Sequence, residues 1–274
     1  MLANIDIVAL PADSIREGDC GTPAPVELIS LGKKSVITLS TPVVMTCDMA
    51  VALHAWTKGE VQAAAREHLG SPITKLDIMS GYSCRNAYGR KRTRMSEHGR
   101  ANAVDIRAFH LQNGETVEVL TDWGPTERDV KARIAAAAAA AKAEAAKVEI
   151  LKRDAERAQA AIDANRNKNA EARRADPQTR DMAAPGLRGS IGLTSPPPVL
   201  SMTPSRLGGP NAPGETAQVR SPPAPTTNKQ RFLRRAHIAA CKTFGTILGP
   251  EANEAHRNHF HVDMAERPTG NFCE

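Results

Sequence analysis

Residues 124–231 of this 274-residue chain contain no aromatic residue, no histidine and no cysteine. All nine aromatic residues, all eight histidines and all five cysteines lie in the two flanking segments. Aromatic side chains contribute strongly to the packing energy of a core, so the middle of the chain is poorly equipped to form one. The sequence therefore predicts one domain that is built from residues 1–123 and 229–274 and interrupted by an insertion.

The positive charge of the chain also lies in the middle. Residues 124–231 hold 18 Lys and Arg against 11 Asp and Glu, and the whole chain has a net charge of +6. A basic protein can suggest nucleic-acid binding. Here the excess lies in a helix of mixed charge and a proline-rich segment, with no aromatic residue for base stacking. We expect no nucleic-acid partner.

The insertion has two parts with different composition. Residues 127–175 contain a run of seven alanines and no Gly or Pro, which predicts a long helix. A heptad pattern that places Ile134, Val148 and Ile162 at core positions suggests weak self-association, although a single solvated spacer helix is the alternative. Residues 176–228 hold eleven of the 19 prolines and are predicted to be a disordered linker. The chain has no apolar run long enough for a transmembrane helix.

The flanking segments indicate an α+β domain. Residues 48–69 and 232–248 have apolar positions at helical spacing. Residues 103–108 and 116–120 alternate as strands do and are separated by a Gln-Asn-Gly turn, which predicts an antiparallel pair. Residues 260–264 are predicted to form a last strand. We therefore expect a small antiparallel sheet with flanking helices.

The cysteines indicate the cellular compartment. None forms a C-x-x-C pair, which argues against a thiolate zinc site or a thioredoxin-type centre. Widely spaced cysteines in a modest domain favour disulfides and an oxidising compartment, the alternative being buried thiols in a cytosolic protein. The first twenty residues lack the features of a secretory signal, so no export route is expected from them.

Two clusters of histidine carry the chemistry that the sequence predicts. His98 and Asp105 lie seven positions apart at the entry to a strand, and His256, His259 and His261 lie within six residues. A catalytic zinc ion takes three nitrogen or oxygen ligands and keeps one position open for water. Such an ion lowers the pKa of its water and polarises a carbonyl, as amide hydrolysis requires. A His and the Asp of the first cluster with a His of the second would supply the ligands.

A solvated histidine-rich tail is the alternative interpretation of the second cluster. Phe260 and Val262 alternate with the histidines and favour a strand that is anchored in the core. The other histidines are expected to be packed or surface residues without a metal: His54, His68, His110 and His237.

The H-x6-D and H-x-H patterns, preceded by Ser80-Gly81-Tyr82 and Arg85, resemble the fold shared by D-alanyl-D-alanine carboxypeptidases, murein endopeptidases and the Hedgehog signalling domain. A longer series of motifs resembles the bacterial extensin-like C-terminal domain family over residues 1–123 and 229–274. In order, these are Cys20, Cys47, Trp56, Ser83-Cys84-Arg85, Ser96-Glu97-His98, Asn102-Ala103-Val104-Asp105, Trp123, Phe232-Leu233-Arg234, Ala240-Cys241, Leu248-Gly249-Pro250 and the residues from His256 to Asp263.

The resemblance implies a set of metal ligands. His98, Asp105 and His261 would bind zinc. Asp263 would accept a hydrogen bond from a ligand imidazole and so fix its tautomer.

The resemblance also implies roles around the metal. Arg85 would face a substrate carboxylate or the developing oxyanion. Ser96 and Tyr82 would contact the substrate peptide. His259, with His256 beside it, would act as general base or donate to the transition state.

Two positions depart from the related enzymes. Asn258 stands three residues before the last ligand, where related carboxypeptidases have a Glu or Asp base, and Ala101 replaces the usual Gly. The H-x-x-H-x-H pattern of murein endopeptidases matches His256, His259 and His261 and would supply a different base. Hedgehog domains keep the zinc framework in a binding protein.

The expected function is zinc-dependent cleavage of peptidoglycan peptides, by a carboxypeptidase or an endopeptidase, in the periplasm or at the cell wall. The alternative is a non-catalytic protein that binds or organises the wall. For the cysteines we predict disulfides between Cys20 and Cys47 and between Cys241 and Cys273, with Cys84 left unpaired.

Overall fold

The computed structural model describes residues 5–33, 36–90, 92–175, 224–268 and 270–274. The predicted linker, 176–228, lies outside the described residues except for its last five positions. Contacts divide the chain into two units, residues 1–132 with 219–274, and residues 133–218.

The first unit contains a mixed sheet, and the predicted α+β class is confirmed. In chain order the strands are β1 (Ile7–Pro11), β2 (Ile15–Glu17), β3 (Cys20–Thr22), β4 (Val26–Leu31), β5 (Ile37–Met45), β6 (Ile73–Ser80), β7 (Ala103–Leu111), β8 (Thr116–Glu118), β9 (Thr246–Leu248), β10 (Phe260–Asp263) and β11 (Phe272–Cys273). Nine of these strands form the sheet, in the order β1-β4-β5-β6-β7-β10-β9-β11 with β8 paired to β7, while β2 and β3 form a separate hairpin. The pairs β5–β6 and β9–β11 are parallel and the others are antiparallel, so the sheet is larger and more mixed than we expected.

Both helices that the sequence predicts in the flanking segments are present, and one is shorter than predicted. The expected helix over 48–69 is present as α1 (Cys47–Trp56), a π-helical turn at Thr57–Val61, and α2 (Gln62–Leu69). The helix expected over 232–248 ends at Ala240, because Thr246–Leu248 pairs with β10 as a strand. The α-helices are α1 (Cys47–Trp56), α2 (Gln62–Leu69), α3 (Val119–Asp122), α4 (Glu127–Ala175) and α5 (Asn228–Ala240).

Both flanking segments contribute to one aromatic core. Trp56 packs edge-on against Phe109 and Phe244, with ring centroids 6.2 and 5.8 Å apart. Phe109 also packs against Phe232 at 5.2 Å. The buried indole Nε1 of Trp56 donates to the carbonyl of Ala236 at 2.9 Å, which satisfies its polar atom. Side chains from both pieces of the chain thus pack together in a single core.

The insertion leaves and re-enters this unit at neighbouring points. Pro125 and Ala224 line the same small cavity of about 100 Å³. Next to it, the carboxylate of Glu251 accepts from Trp123 Nε1 at 3.1 Å, from Arg234 at 3.0 Å and from the backbone N–H of Glu127 at 3.1 Å. The first turn of α4 is therefore anchored to the domain by hydrogen bonds.

In the second unit, α4 exposes the side chains that the heptad pattern places at core positions. Ile134, Val148, Leu151 and Ile162 are all more than half exposed. Self-association through this face therefore remains a prediction. None of the described helices is long and apolar enough to cross a membrane.

Two disulfides are present, and one corrects our pairing. Cys241 is bonded to Cys273, as predicted. The predicted Cys20–Cys47 bond is wrong: Cys20 is bonded to Cys84, with their Cα atoms 5.6 Å apart, and Cys47 is the free thiol. The β2–β3 hairpin lies beside the loop after β6, where Tyr82 donates to Glu17, and this packing brings Cys84 to Cys20.

Candidate metal centre

The register of two strands brings Asp105 and His261 together. They lie directly opposite each other in the antiparallel pair of β7 and β10. Opposite residues project to the same face of a sheet, so the two side chains meet. Both are buried, with only 3 % of Asp105 and 9 % of His261 exposed.

His98 reaches the same point from a short 3₁₀ turn, Glu97–Arg100, that precedes β7. The Ser96 hydroxyl caps this turn by accepting from the backbone N–H of His98 at 3.4 Å. Ala101 ends the turn in the left-handed conformation, with φ 52°, where glycine is usually favoured. Ala101, which stands where a Gly was expected, therefore adopts a backbone conformation that is strained for alanine.

The donor atoms form a compact triangle. Nε2 of His98 lies 3.2 Å from Oδ1 of Asp105 and 3.1 Å from Nδ1 of His261, and the last two atoms are 2.9 Å apart. An ion held tetrahedrally at normal zinc bond lengths separates its ligand atoms by about 3.3 Å. The triangle is therefore of the size that such an ion requires.

The outer nitrogen of each imidazole is already engaged. Nδ1 of His98 donates to the carbonyl of Gly81 at 2.7 Å, and Nε2 of His261 donates to Asp263 at 3.1 Å. When both imidazoles are neutral, the inner nitrogens, which face each other, are both lone-pair acceptors. Two acceptors at 3.1 Å need a cation or a proton between them, so the arrangement fits a metal ion.

The pKa shifts of Asp105 and His261 also favour a cation at the cluster. Burial would raise the pKa of Asp105, but hydrogen bonds from His261 and His98 lower it well below its usual range. Burial would lower the pKa of His261, but hydrogen bonds to Asp105 and Asp263 raise it to about 9. Both shifts show that the buried carboxylates favour a positive charge at this point.

His259 and His256 lie beside the triangle. Nδ1 of His259 lies 2.8 Å from the amide oxygen of Asn258, and its Nε2 lies 3.6 Å from Oδ1 of Asp105. The rings of His256 and His259 are 5.2 Å apart. Burial lowers the pKa of His256 to about 4 and also lowers that of His259. Both rings are therefore neutral near pH 7.

The triangle forms part of the wall of a 430 Å³ cavity. Arg85 and Ser96 line it. Tyr82, which we expected to contact the substrate, does not line the cavity, because its hydroxyl donates to Glu17 at 3.0 Å. Tyr88 lines the cavity instead. The lining residues are Met79, Arg85, Ala87, Tyr88, Arg94, Met95, Ser96, Glu97, His98, Asp105, Thr246, Leu248, Ala255, His256, His259, His261, Asp263, Arg267 and Phe272.

A family model described as extensin-like protein C-terminus matches residues 2–144 and 212–274, which is well over half of the chain. The chain belongs to this family. Both matched ranges of the extensin-like family carry parts of the site, since His98 and Asp105 lie in the first and His261 in the second. No curated protein and no solved structure matches the chain significantly.

The sequence alone assigns no role to several residues of this extensin-like site. Glu97 stands in a family motif without a predicted role; in the structure it accepts from Arg100 at 2.8 Å and Asn102 at 2.9 Å and braces the turn of His98. Arg267 donates to Thr246 at 2.6 Å, next to Asp263. Strand β9, which carries Thr246, was predicted as helix, so sequence periodicity could not place these contacts.

Proposed function

We propose that this extensin-like protein is a zinc-dependent hydrolase of peptide bonds in peptidoglycan. The observation that carries the proposal is the convergence of the inner nitrogens of His98 and His261 on the carboxylate of Asp105. This cluster lies in a cavity that two further histidines and three arginines also line. Such a combination of ligand atoms, neutral imidazoles and a cation suits hydrolysis of an amide.

His98, Asp105 and His261 are the residues that would hold the metal. Zinc in such a site supplies Lewis acidity, which polarises a carbonyl and makes water a better nucleophile at neutral pH. Asp263 and the carbonyl of Gly81 keep the two imidazoles in the tautomers that ligation needs.

His259 is the proposed general base. Its Nδ1–H donates to Asn258, so its Nε2 keeps a lone pair and faces the cluster next to Asp105. A neutral imidazole in this position can accept a proton at Nε2 and return it to the leaving amine. His256 packs beside it and Arg85 contributes positive charge for a developing oxyanion.

The location that we propose is the periplasm or the cell wall. Two disulfides stabilise the domain, and such bonds persist mainly in oxidising compartments. Peptidoglycan lies in the same compartment, which agrees with the proposed substrate.

The proposal is tested by incubating the protein with purified sacculi and separating the released muropeptides. We expect new fragments with the unmodified protein and with His68→Ala, a histidine outside the cavity, and none with His261→Ala. Release of no fragments by the unmodified protein would refute hydrolysis.

A second candidate function is binding of the wall without cleavage. The observation in its favour is Asn258, an amide that cannot act as a base where related carboxypeptidases have an acid. Co-sedimentation with sacculi in the absence of any new fragment would support this function.

A further inference from the structure

A short two-stranded ribbon forms one wall of the cavity. The backbone N–H of Ser96 donates to the carbonyl of Arg85 at 3.1 Å, and that of Ala87 donates to the carbonyl of Arg94 at 2.9 Å. Between them Asn86 and Met95 form an antiparallel bridge. In this register Arg85 lies opposite Ser96, and Ala87 lies opposite Arg94.

The register puts two arginines on one face of the ribbon. Residues two apart on a strand share a face, and directly opposite residues share it too. Arg85, Ala87, Arg94 and Ser96 therefore project together, and all four line the cavity. The wall beside the metal cluster thus displays two guanidinium groups and a hydroxyl.

The carboxylates of the cavity are already paired with other groups. Glu97 accepts from Arg100 and Asn102, Asp105 is bound by His98 and His261, and Asp263 is bound by His261.

The two ribbon arginines have no such partner. Among the residues that the structure describes, neither the Arg85 nor the Arg94 guanidinium has a hydrogen-bond or ion-pair partner. Arg90, on the same loop, instead lies 5.8 Å from the ring of Tyr88. The unpaired positive charge of the cavity is therefore concentrated on the ribbon.

We propose that this ribbon binds a free carboxylate of the peptide substrate and that Arg94 is a residue that recognises it. The inference rests on the proposed function for the identity of the ligand as a wall peptide. A guanidinium binds a carboxylate through two parallel hydrogen bonds, and it makes no equivalent pair with an amide. The ribbon therefore selects peptides with a free acid close to the bond that is cut.

The test is calorimetric binding of diacetyl-L-lysyl-D-alanyl-D-alanine and of the same peptide with a C-terminal amide. Binding is measured in protein dialysed against EDTA and again after addition of zinc, because the preference should not require the metal. The variants are Arg94→Gln and the control Arg92→Gln, which changes an exposed arginine of the same loop outside the cavity lining.

We expect the unmodified protein and Arg92→Gln to bind the free acid about tenfold more tightly than the amide, as loss of a charge-assisted pair implies. Arg94→Gln should bind the amide as before and lose this preference. A third peptide, with an amidated end and a glutamate side chain, shows whether a terminal or a side-chain carboxylate is recognised.

Equal binding of acid and amide by the unmodified protein, or no binding of either, would overturn the inference. An equal loss in Arg92→Gln would also overturn it, because general attraction by the loop would then explain the preference. The outcome of this binding experiment can be distinguished from the outcome of the muropeptide test of the proposed function. Selective binding without muropeptide release would refute only hydrolysis, whereas release without selectivity would refute only the carboxylate site.

Discussion

The Nδ1 atom of His259 lies 2.8 Å from the side-chain oxygen of Asn258. An amide oxygen only accepts hydrogen bonds, so the proton of the neutral imidazole is on Nδ1 and the lone pair of Nε2 points toward Asp105. Asn258 thus contacts the residue that we propose as the base. We propose that it positions that residue.

Replacing Asn258 by Ala should remove the hydrogen bond that keeps the proton of His259 on Nδ1. We expect the turnover number for a wall peptide to fall about tenfold, the lower end of the effect of such supporting residues, with little change in KM. Asn258→Asp keeps an oxygen acceptor and should retain the Nδ1–H form. Imidazole ¹⁵N chemical shifts report the tautomer without reference to activity, and an unchanged His259 tautomer in Asn258→Ala would contradict the positioning role.

The disulfide between Cys20 and Cys84 should be a major source of stability. These residues are 64 positions apart, and chain entropy for a loop of that length gives about 4 kcal/mol. Cys20→Ala and Cys84→Ala should each lower the free energy of unfolding by this amount in urea denaturation. Cys47→Ala, which changes a free thiol, is the control. A similar loss in Cys47→Ala but not in Cys84→Ala would indicate the pairing that we first predicted.

His237 should make the domain less stable in mild acid. Burial lowers the pKa of its imidazole from 6.5 to about 4 in the folded protein. Between these values the unfolded chain binds a proton that the folded chain does not, so stability falls as the pH drops from 6.5 toward 4. The loss reaches about 3 kcal/mol.

The measurement is the free energy of unfolding against pH for the unmodified protein and His237→Gln. The glutamine can still donate to the carbonyl of Glu274, which His237 contacts at 3.1 Å, but it does not titrate. The slope between pH 4 and 6.5 should be smaller in the variant. Identical slopes would show that His237 is not the responsible group.

The insertion should be removable if its anchored first turn is kept. We expect a chain in which a short flexible linker replaces 133–223 to retain its thermal unfolding midpoint within a few degrees, because Pro125 and Ala224 line one cavity. Glu251→Ala should lower the midpoint in both chains, since Glu251 holds Trp123, Arg234 and the start of α4. Unfolding of the shortened chain at ordinary temperature would contradict this.

The same shortened chain tests self-association. If the exposed apolar face of α4 pairs two copies, sedimentation should change from dimer to monomer when the segment is removed. An unchanged mass would show that the helix does not associate.

The site could be predicted from sequence where it follows local periodicity. Alternation within 103–108 and 260–264 places Asp105 and His261 on strands, and pairing of these strands then brings the two side chains together. His98 follows because it precedes β7 by only a short turn.

Features that depend on tertiary packing were not predictable in this way. The 246–248 segment has apolar residues that continue the spacing of α5, yet it is a strand because β10 offers a partner on that side. Cys84 pairs with Cys20 because a small hairpin docks beside its loop, and spacing along the chain carries no information about that docking. The ribbon that carries Arg85 and Arg94 is likewise defined by backbone hydrogen bonds between irregular segments.

The central claim is that His98, Asp105 and His261 form a zinc site, and the most direct test is the metal content of the purified protein. Elemental analysis should find one zinc ion per chain in the unmodified protein and in His110→Ala, a histidine outside the cluster, and almost none in His98→Ala. A purified, folded protein without zinc after incubation with the metal, or equal zinc in His98→Ala, would contradict the account.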